Sequence, residues 1–259
     1  MERDQLNVAM IQSDLIWEQP AQNRLAFEKH FTQLPENCDL AILPEMFTTG
    51  FSMNPGPLAE TMDGITVQWM KAQAKKYKTA ICGSLIIEEN DLYYNRFVFI
   101  TPEGTVDYYN KRHTFNMAGE GEKYQAGDAP ITVTYLGWKI LLQVCYDLRF
   151  PVFARNTSGY DVVLYVANWP EARVGAWDTL LQARAIENMA YAIGVNRVGT
   201  DANNLNYVGH TAAYDVLGKT MAIARVEEKV VLATLSKNHI KETRAKLPFL
   251  QDKDVFTLG

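Results

Sequence analysis

The chain has 259 residues, 47% of them hydrophobic, enough to bury a large core and close to the upper size for one domain. Its formal net charge of -5 argues against nucleic acid or an anionic membrane as the main partner, because neither favours an acidic surface. Cys38, Cys82 and Cys145 are odd in number, far apart and form no Cys-x-x-Cys pair, so neither a disulfide framework nor a metal site is expected and the compartment reads as reducing.

Residues 1–5 are charged and lead straight into an apolar run without the features of a signal peptide, and no window is apolar for long enough to span a bilayer. A cytoplasmic protein of one domain, residues 1–259, is expected, with a small molecule as its partner. Residues 6–16 read as a strand covered on both faces, and 20–34 as an amphipathic helix with Leu25, Phe27, Phe31 and Leu34 on its apolar positions. A second buried strand, 38–43, runs into Pro44-Glu45-Met46-Phe47 and a loop rich in Gly, Pro and Asn. Glu45 therefore sits at the C-terminal end of a strand, where open α/β sheets bind their ligands.

Asp63 is placed to cap a helix reaching residue 77, and residues 79–88 follow as a strand with Cys82 inside it. Two strands, 93–100 and 105–109, form a hairpin about Thr101-Pro102-Glu103-Gly104 and deliver Asn110-Lys111-Arg112-His113 to its end. A long loop, 114–130, carries four glycines; irregular stretches of this length in a compact domain tend to be functional or mobile. The apolar run 139–144 then stops at Cys145, with Asp147 placed to cap a following helix whose first turn tolerates Pro151. At such a corner a thiol projects from a rigid frame, and unpaired helix N–H groups favour thiolate and oxyanion. An inert buried thiol satisfies the same pattern.

Residues 161–168 form another apolar strand, ending at Asn168-Trp169-Pro170. A helix over 175–189, a strand over 191–198, a hairpin of 210–214 with 219–225 and a strand over 229–235 follow, and Ser236 caps a last polar helix. So many apolar strands are buried most simply as two sheets packed face to face with helices outside.

Three strand ends each deliver one reactive side chain: Glu45, Lys111 and Cys145. A nucleophilic thiol needs a base for its proton and a cation for the charge that develops, and glutamate and lysine supply those roles. His113 is the one histidine close to a candidate site, so a cysteine-histidine dyad stands as an alternative.

The segments Leu43-Pro44-Glu45-Met46-Phe47, Tyr109-Asn110-Lys111-Arg112-His113 and Val144-Cys145-Tyr146-Asp147-Leu148-Arg149-Phe150-Pro151, in that order, resemble the three signature segments of the nitrilase superfamily of carbon–nitrogen hydrolases. The resemblance spans nearly the whole chain, taking in Trp177, the helix from Gln182 to Asn188 and Gly209-His210-Thr211. It implies a four-layer α-β-β-α sandwich, assembly as a homodimer or a larger oligomer, and no metal or cofactor. It also implies Glu45 as general base, Lys111 with the backbone N–H of Tyr146 as oxyanion donors, and Cys145 as nucleophile. A further glutamate in the loop before the nucleophile strand is implied; Glu120, seven residues before Gly127, has the spacing, with Glu122 as competitor.

Within the superfamily the segments are most similar to the omega-amidases, which implies hydrolysis of the terminal amide of a 2-oxo dicarboxylate monoamide. Such a substrate brings a carboxylate, for which Arg112, Arg149 and Arg173 are the candidate cations. Phe47, Phe115 and Trp169 are candidate pocket walls or core aromatics. Another amide- or nitrile-hydrolysing activity on the same triad, and a non-catalytic metabolite-binding protein, are the competing readings.

Overall fold

A computed structural model describes residues 2–258. The first half of the chain contributes β1 (Gln5–Gln12), β2 (Leu40–Ile42), β3 (Ala80–Glu89), β4 (Leu92–Ile100) and β5 (Val106–Asn110). The second contributes β6 (Ile131–Tyr135), β7 (Trp138–Val144), β8 (Val162–Ala167) and β9 (Tyr191–Asn196), then a ribbon of β10 (Val198–Thr200) and β11 (Asn206–Val208), and finally β12 (Ala212–Tyr214), β13 (Thr220–Ile223) and β14 (Lys229–Ser236). These strands build two six-stranded sheets, in the orders β14-β1-β2-β3-β4-β5 and β13-β12-β9-β8-β7-β6. Each has a parallel centre, β1-β2-β3 and β7-β8-β9, flanked by antiparallel neighbours.

Alternation along the strands explains the layers. In β8, Val162, Leu164 and Val166 enter the core between the sheets, where Val8, Met10, Cys82 and Phe97 meet them from the first sheet. Val163, Tyr165 and Ala167 point the other way, under Trp177, Leu181 and Ala185 of the helix Val174–Asn188. On the opposite side Ile11, Leu43 and Ile81 are covered by Phe27, Phe31, Val67 and Met70 from the helices Pro20–Phe31 and Ile65–Tyr77. A strand with a helix on one face and a second sheet on the other has no polar face, which is why 162–166 reads as an unbroken apolar run. The architecture is the expected α-β-β-α sandwich.

Several local expectations change. Asp63 does not cap the second helix: Gly64 occupies the N-cap position, and Glu60 instead accepts from the Thr66 N–H at 2.6 Å. The chain turns sharply there, with Gly64 N–H donating to Thr61 O at 2.9 Å, so the carboxylate that reaches the helix start is the one before the turn. Strand β6 was not foreseen. Its alternating Ile131-Thr-Val-Thr-Tyr135 pairs with β7 across a tight turn at Leu136 and Gly137, both with positive φ, +50° and +81°. Ser236 does cap the last helix, accepting from His239 N–H at 3.2 Å. No helix among the described residues is long and apolar enough to cross a membrane.

Candidate active site

Chain direction brings four strand ends to one place. After β2, Glu45 is followed by Met46 in the left-handed region (φ +42°), a costly conformation for a side-chain-bearing residue, held by Ser84 Oγ accepting the Met46 N–H at 2.9 Å. The resulting corner drives the Glu45 carboxylate inward, where it is fully buried. Its Oε1 accepts from Lys111 Nζ at 2.9 Å and Asn95 Nδ2 at 2.8 Å, and its Oε2 accepts from the Asn168 N–H just past β8 at 2.8 Å.

Lys111 follows β5 directly and is equally buried. Its ammonium lies between Glu45 and both oxygens of Glu120, at 2.9 and 2.8 Å. Glu120 opens the short helix Glu120–Lys123, and Asn95 Nδ2 reaches it as well, at 3.2 Å. Of the two loop carboxylates it is therefore Glu120 that enters the cluster, whereas Glu122 is exposed. Burial pulls the Lys111 pKa down, but Glu120 and Glu45 outweigh it and hold the group above its ordinary value. Burial raises the Glu120 carboxyl; Lys111 opposes that and Glu45 adds to it.

Cys145 follows β7 directly, with φ +46°, a second strained corner. The residues after it, Cys145–Arg149, form one 3-10 turn instead of an α-helix, and Asp147 lies inside that turn. Its carboxylate accepts from the Val144 N–H at 2.9 Å, bonding back across the corner. The other end of the turn is pinned by Arg184 Nη2 on the Leu148 carbonyl at 2.5 Å. Burial pushes the Cys145 thiol up, as does Glu45, with Lys111 opposing, so the resting group is a thiol and not the thiolate that a long helix would favour.

In front of Cys145 lies a cleft of ≈ 480 Å³ bordered by Cys145, Tyr146 and Asn168 and walled by Trp17, Phe51, Phe115 and Trp169. Tyr146, whose N–H is the first after the thiol, belongs to this border. Arg149 and Arg173 line the cleft as well, each laid on an aromatic wall: Arg149 Cζ is 5.0 Å from the Trp169 ring centroid and Arg173 Cζ 5.2 Å from that of Phe115. Among the described residues neither guanidinium has a carboxylate within 4.0 Å.

Of the residues singled out in the sequence, Phe115, Arg149, Trp169 and Arg173 thus meet at the cleft. Arg112 does not. It donates to the Gly127 carbonyl at 3.0 Å and borders a different depression, because it is one residue past Lys111 and points to the other side. Phe47 is fully buried beneath the outer helices, 5.4 Å edge-on to Phe27, and is core. His113 bonds Asp147 and does not reach the thiol cluster as a base.

The sequence reading missed Asn95, inside β4, and Asn168, whose backbone and side chain both bind Glu45, the latter at 2.6 Å to the Glu45 carbonyl. For Asn168 a signal existed, a polar residue closing the apolar run 162–167. The cleft is closed further by the tip of the β10-β11 ribbon, through Asp201, Asn203 and Tyr207, in a stretch without periodicity.

The family profile of the carbon–nitrogen hydrolases matches residues 7–245. The chain is 41% identical over 254 residues to the omega-amidase YafV of Escherichia coli (strain K12), covering 98% of each. It is 32% identical over 257 residues to the 2-oxoglutaramate amidase of Bacillus subtilis (strain 168), covering 96% of this chain and 98% of the relative. Its structure superposes with a TM-score of 0.97 on a carbon–nitrogen hydrolase superfamily protein of Xanthomonas campestris that carries an arsenic adduct in its active site, at 43% identity, covering 99% of this chain and all of that one.

Proposed function

The chain belongs to the carbon–nitrogen hydrolase family and is a hydrolase of amides, and from that premise we propose that it is an omega-amidase, releasing ammonia from the terminal amide of 2-oxo dicarboxylate monoamides such as 2-oxoglutaramate and 2-oxosuccinamate. One observation carries the reading: a thiol backed by a buried Glu45-Lys111-Glu120 cluster opens onto a cleft whose wall holds two guanidinium groups with no carboxylate partner among the described residues. The cluster suits amide chemistry. The guanidiniums suit a substrate with a carboxylate at its far end.

In the proposed cycle Glu45 takes the thiol proton as Sγ bonds to the amide carbon. Lys111 Nζ and the Tyr146 N–H hold the oxyanion, a stabilisation of roughly 3–4 kcal/mol per donor. Glu45 then gives its proton to the departing nitrogen as the C–N bond breaks, leaving a thioester on Cys145 and ammonia. Water, deprotonated by Glu45, attacks the thioester, and the C–S bond breaks to return the thiol and the free acid. A thiol held protonated beside its base is the proper resting state for this order of events. Glu120 keeps the lysine charged and in place. The cycle uses no metal or cofactor.

Arg149 and Arg173 are assigned to the substrate carboxylate, with Phe115 and Trp169 fixing their planes. One domain spanning residues 1–259 is proposed, in keeping with a family match over residues 7–245; a homodimer and a cytoplasmic location complete the proposal, and light scattering of the purified protein checks the dimer. The assignment is tested by steady-state kinetics on 2-oxoglutaramate, glutamine and a simple aliphatic amide. The expected result is a kcat/KM for 2-oxoglutaramate well above the other two. Equal turnover of the aliphatic amide or of a nitrile removes the omega-amidase assignment and leaves a cysteine-dependent hydrolase of another acyl group.

A further inference from the structure

The Asp147 carboxylate is fully buried and accepts four hydrogen bonds from two different strand ends. On the nucleophile side, Oδ2 takes the Val144 N–H at 2.9 Å, one residue before Cys145. From the lysine side, the same oxygen takes the Tyr109 hydroxyl at 2.8 Å, while Oδ1 takes the His113 N–H at 3.0 Å and His113 Nδ1 at 2.7 Å. Tyr109 and His113 flank Lys111, each two positions away. Burial and the neighbouring carboxylate push the Tyr109 phenol up, so its hydroxyl remains a donor. Asp147 is thus the point at which the Cys145 corner is tied to the Lys111 strand end.

Of the four donors, the imidazole is the one that approaches from outside. The His113 ring stacks on Phe150, with centroids 3.7 Å apart and planes 4° from parallel, and meets Phe153 edge-on at 5.2 Å. Its free edge faces a depression of ≈ 540 Å³ that shares no lining residue with the substrate cleft. His113 therefore reaches the cleft only through intermediaries: Asp147, and the Phe150 ring, which meets Tyr146 edge-on at 5.1 Å. Cys145 sits at φ +46°, a conformation that persists only where neighbours impose it.

We infer that His113 is a positioning residue for amide hydrolysis: its Nδ1–H, acting on Asp147, holds the strained Cys145 corner in register with Lys111. The inference rests on the reading of Cys145 as nucleophile. The contact that matters is the donor at Nδ1 and not the stacking on Phe150, and two substitutions separate these. His113→Asn places an amide N–H about where Nδ1 stands and gives up the stack. His113→Phe keeps the stack and gives up the donor.

The experiment measures kcat and KM on 2-oxoglutaramate, alkylation of Cys145 by iodoacetamide without substrate, and thermal unfolding, for wild type and both variants. His113→Phe is expected to lose roughly ten- to hundredfold in kcat, the scale on which a catalytic group displaced by about an ångström is felt, with KM little changed and an altered alkylation rate. His113→Asn is expected to stay near wild type in kcat and alkylation even if it melts earlier. Activity kept in His113→Phe, or lost equally in His113→Asn, overturns the inference and makes His113 a packing residue. Should Cys145→Ala hydrolyse the amide as fast as wild type, the nucleophile reading fails separately, and the alkylation order alone then decides whether His113 positions the corner.

Discussion

The floor and the wall of the cleft are built on opposite principles. On the floor, Glu45, Lys111 and Glu120 are buried; Lys111 donates to both carboxylates, both accept from Asn95 as well, and Glu45 takes the Asn168 N–H while Glu120 takes the Phe115 N–H. On the wall, Arg149 is exposed and Arg173 half-buried, and each guanidinium lies over an aromatic ring with no carboxylate partner among the described residues. A buried, mutually satisfied cluster cannot be altered one member at a time without leaving a charge stranded, so on the proposed reading it is the part that fixes the reaction. A guanidinium over an aromatic ring at a cleft can be exchanged at little cost to folding, so on the same reading it is the part that adjusts which acyl group is accepted.

The contrast breaks most sharply at the thiol, which belongs to the floor. Cys145→Ala should lower kcat by roughly 10⁴-fold or more while leaving substrate binding and the melting temperature close to wild type, since a small half-buried side chain leaves almost no cavity. Cys38→Ala and Cys82→Ala, measured in the same assay, should retain turnover, because both thiols are packed into buried positions away from the cleft.

Lys111→Met tests whether the floor is a unit. It should cost about 10²- to 10³-fold in kcat through the lost oxyanion donor. It should also cost about 3–5 kcal/mol of stability through two carboxylates left without their cation, read from urea unfolding. The stability part is pH-dependent with a definite sign. The folded lysine titrates above its ordinary 10.5, so its contribution is full below pH 10.5 and is lost as pH rises beyond that through the folded value. The gap between wild type and Lys111→Met should therefore narrow in strongly alkaline buffer. A gap independent of pH argues that packing, and not charge, holds the cluster.

Smaller effects belong to the wall. Arg173→Ala, removing the less exposed guanidinium, should reduce kcat/KM for 2-oxoglutaramate by an amount corresponding to about 1.5–3 kcal/mol and leave an uncharged amide of similar length unaffected. Arg149→Ala should do the same more weakly, since its guanidinium is exposed. An equal loss on both substrates would make these arginines structural.

How far these regions were legible in the sequence follows from how each is made. Glu45 and Cys145 were legible because an apolar run that stops at a reactive side chain marks a strand end, and β2 and β7 lie in the parallel centres of their sheets; Lys111 was legible as the residue that a hairpin, β4-β5, delivers to its end. Asn95 was not, since a polar residue within the strand 92–100 is indistinguishable from one facing solvent until the partner sheet is known to cover it. Of the candidate cations for the wall, Arg112 and Arg173 part ways. Arg112 is next to a cluster residue in sequence but alternation along the chain turns it away, whereas Arg173 arrives from a remote 3-10 turn, Glu171–Arg173, that closes over Phe115. The four layers were legible as unbroken apolar runs, whereas β6 and the β10-β11 ribbon, short and next to irregular loops, were not.

The central claim is that Cys145 carries the acyl group, and mass spectrometry of protein quenched in acid during turnover of 2-oxoglutaramate addresses it directly. The account predicts a mass increase equal to the acyl group, located on the peptide containing Cys145, present within the first turnover, released on incubation and absent from Cys145→Ala. Steady hydrolysis with no adduct on that peptide, together with an active Cys145→Ala, would contradict it and place the chemistry elsewhere in the cleft.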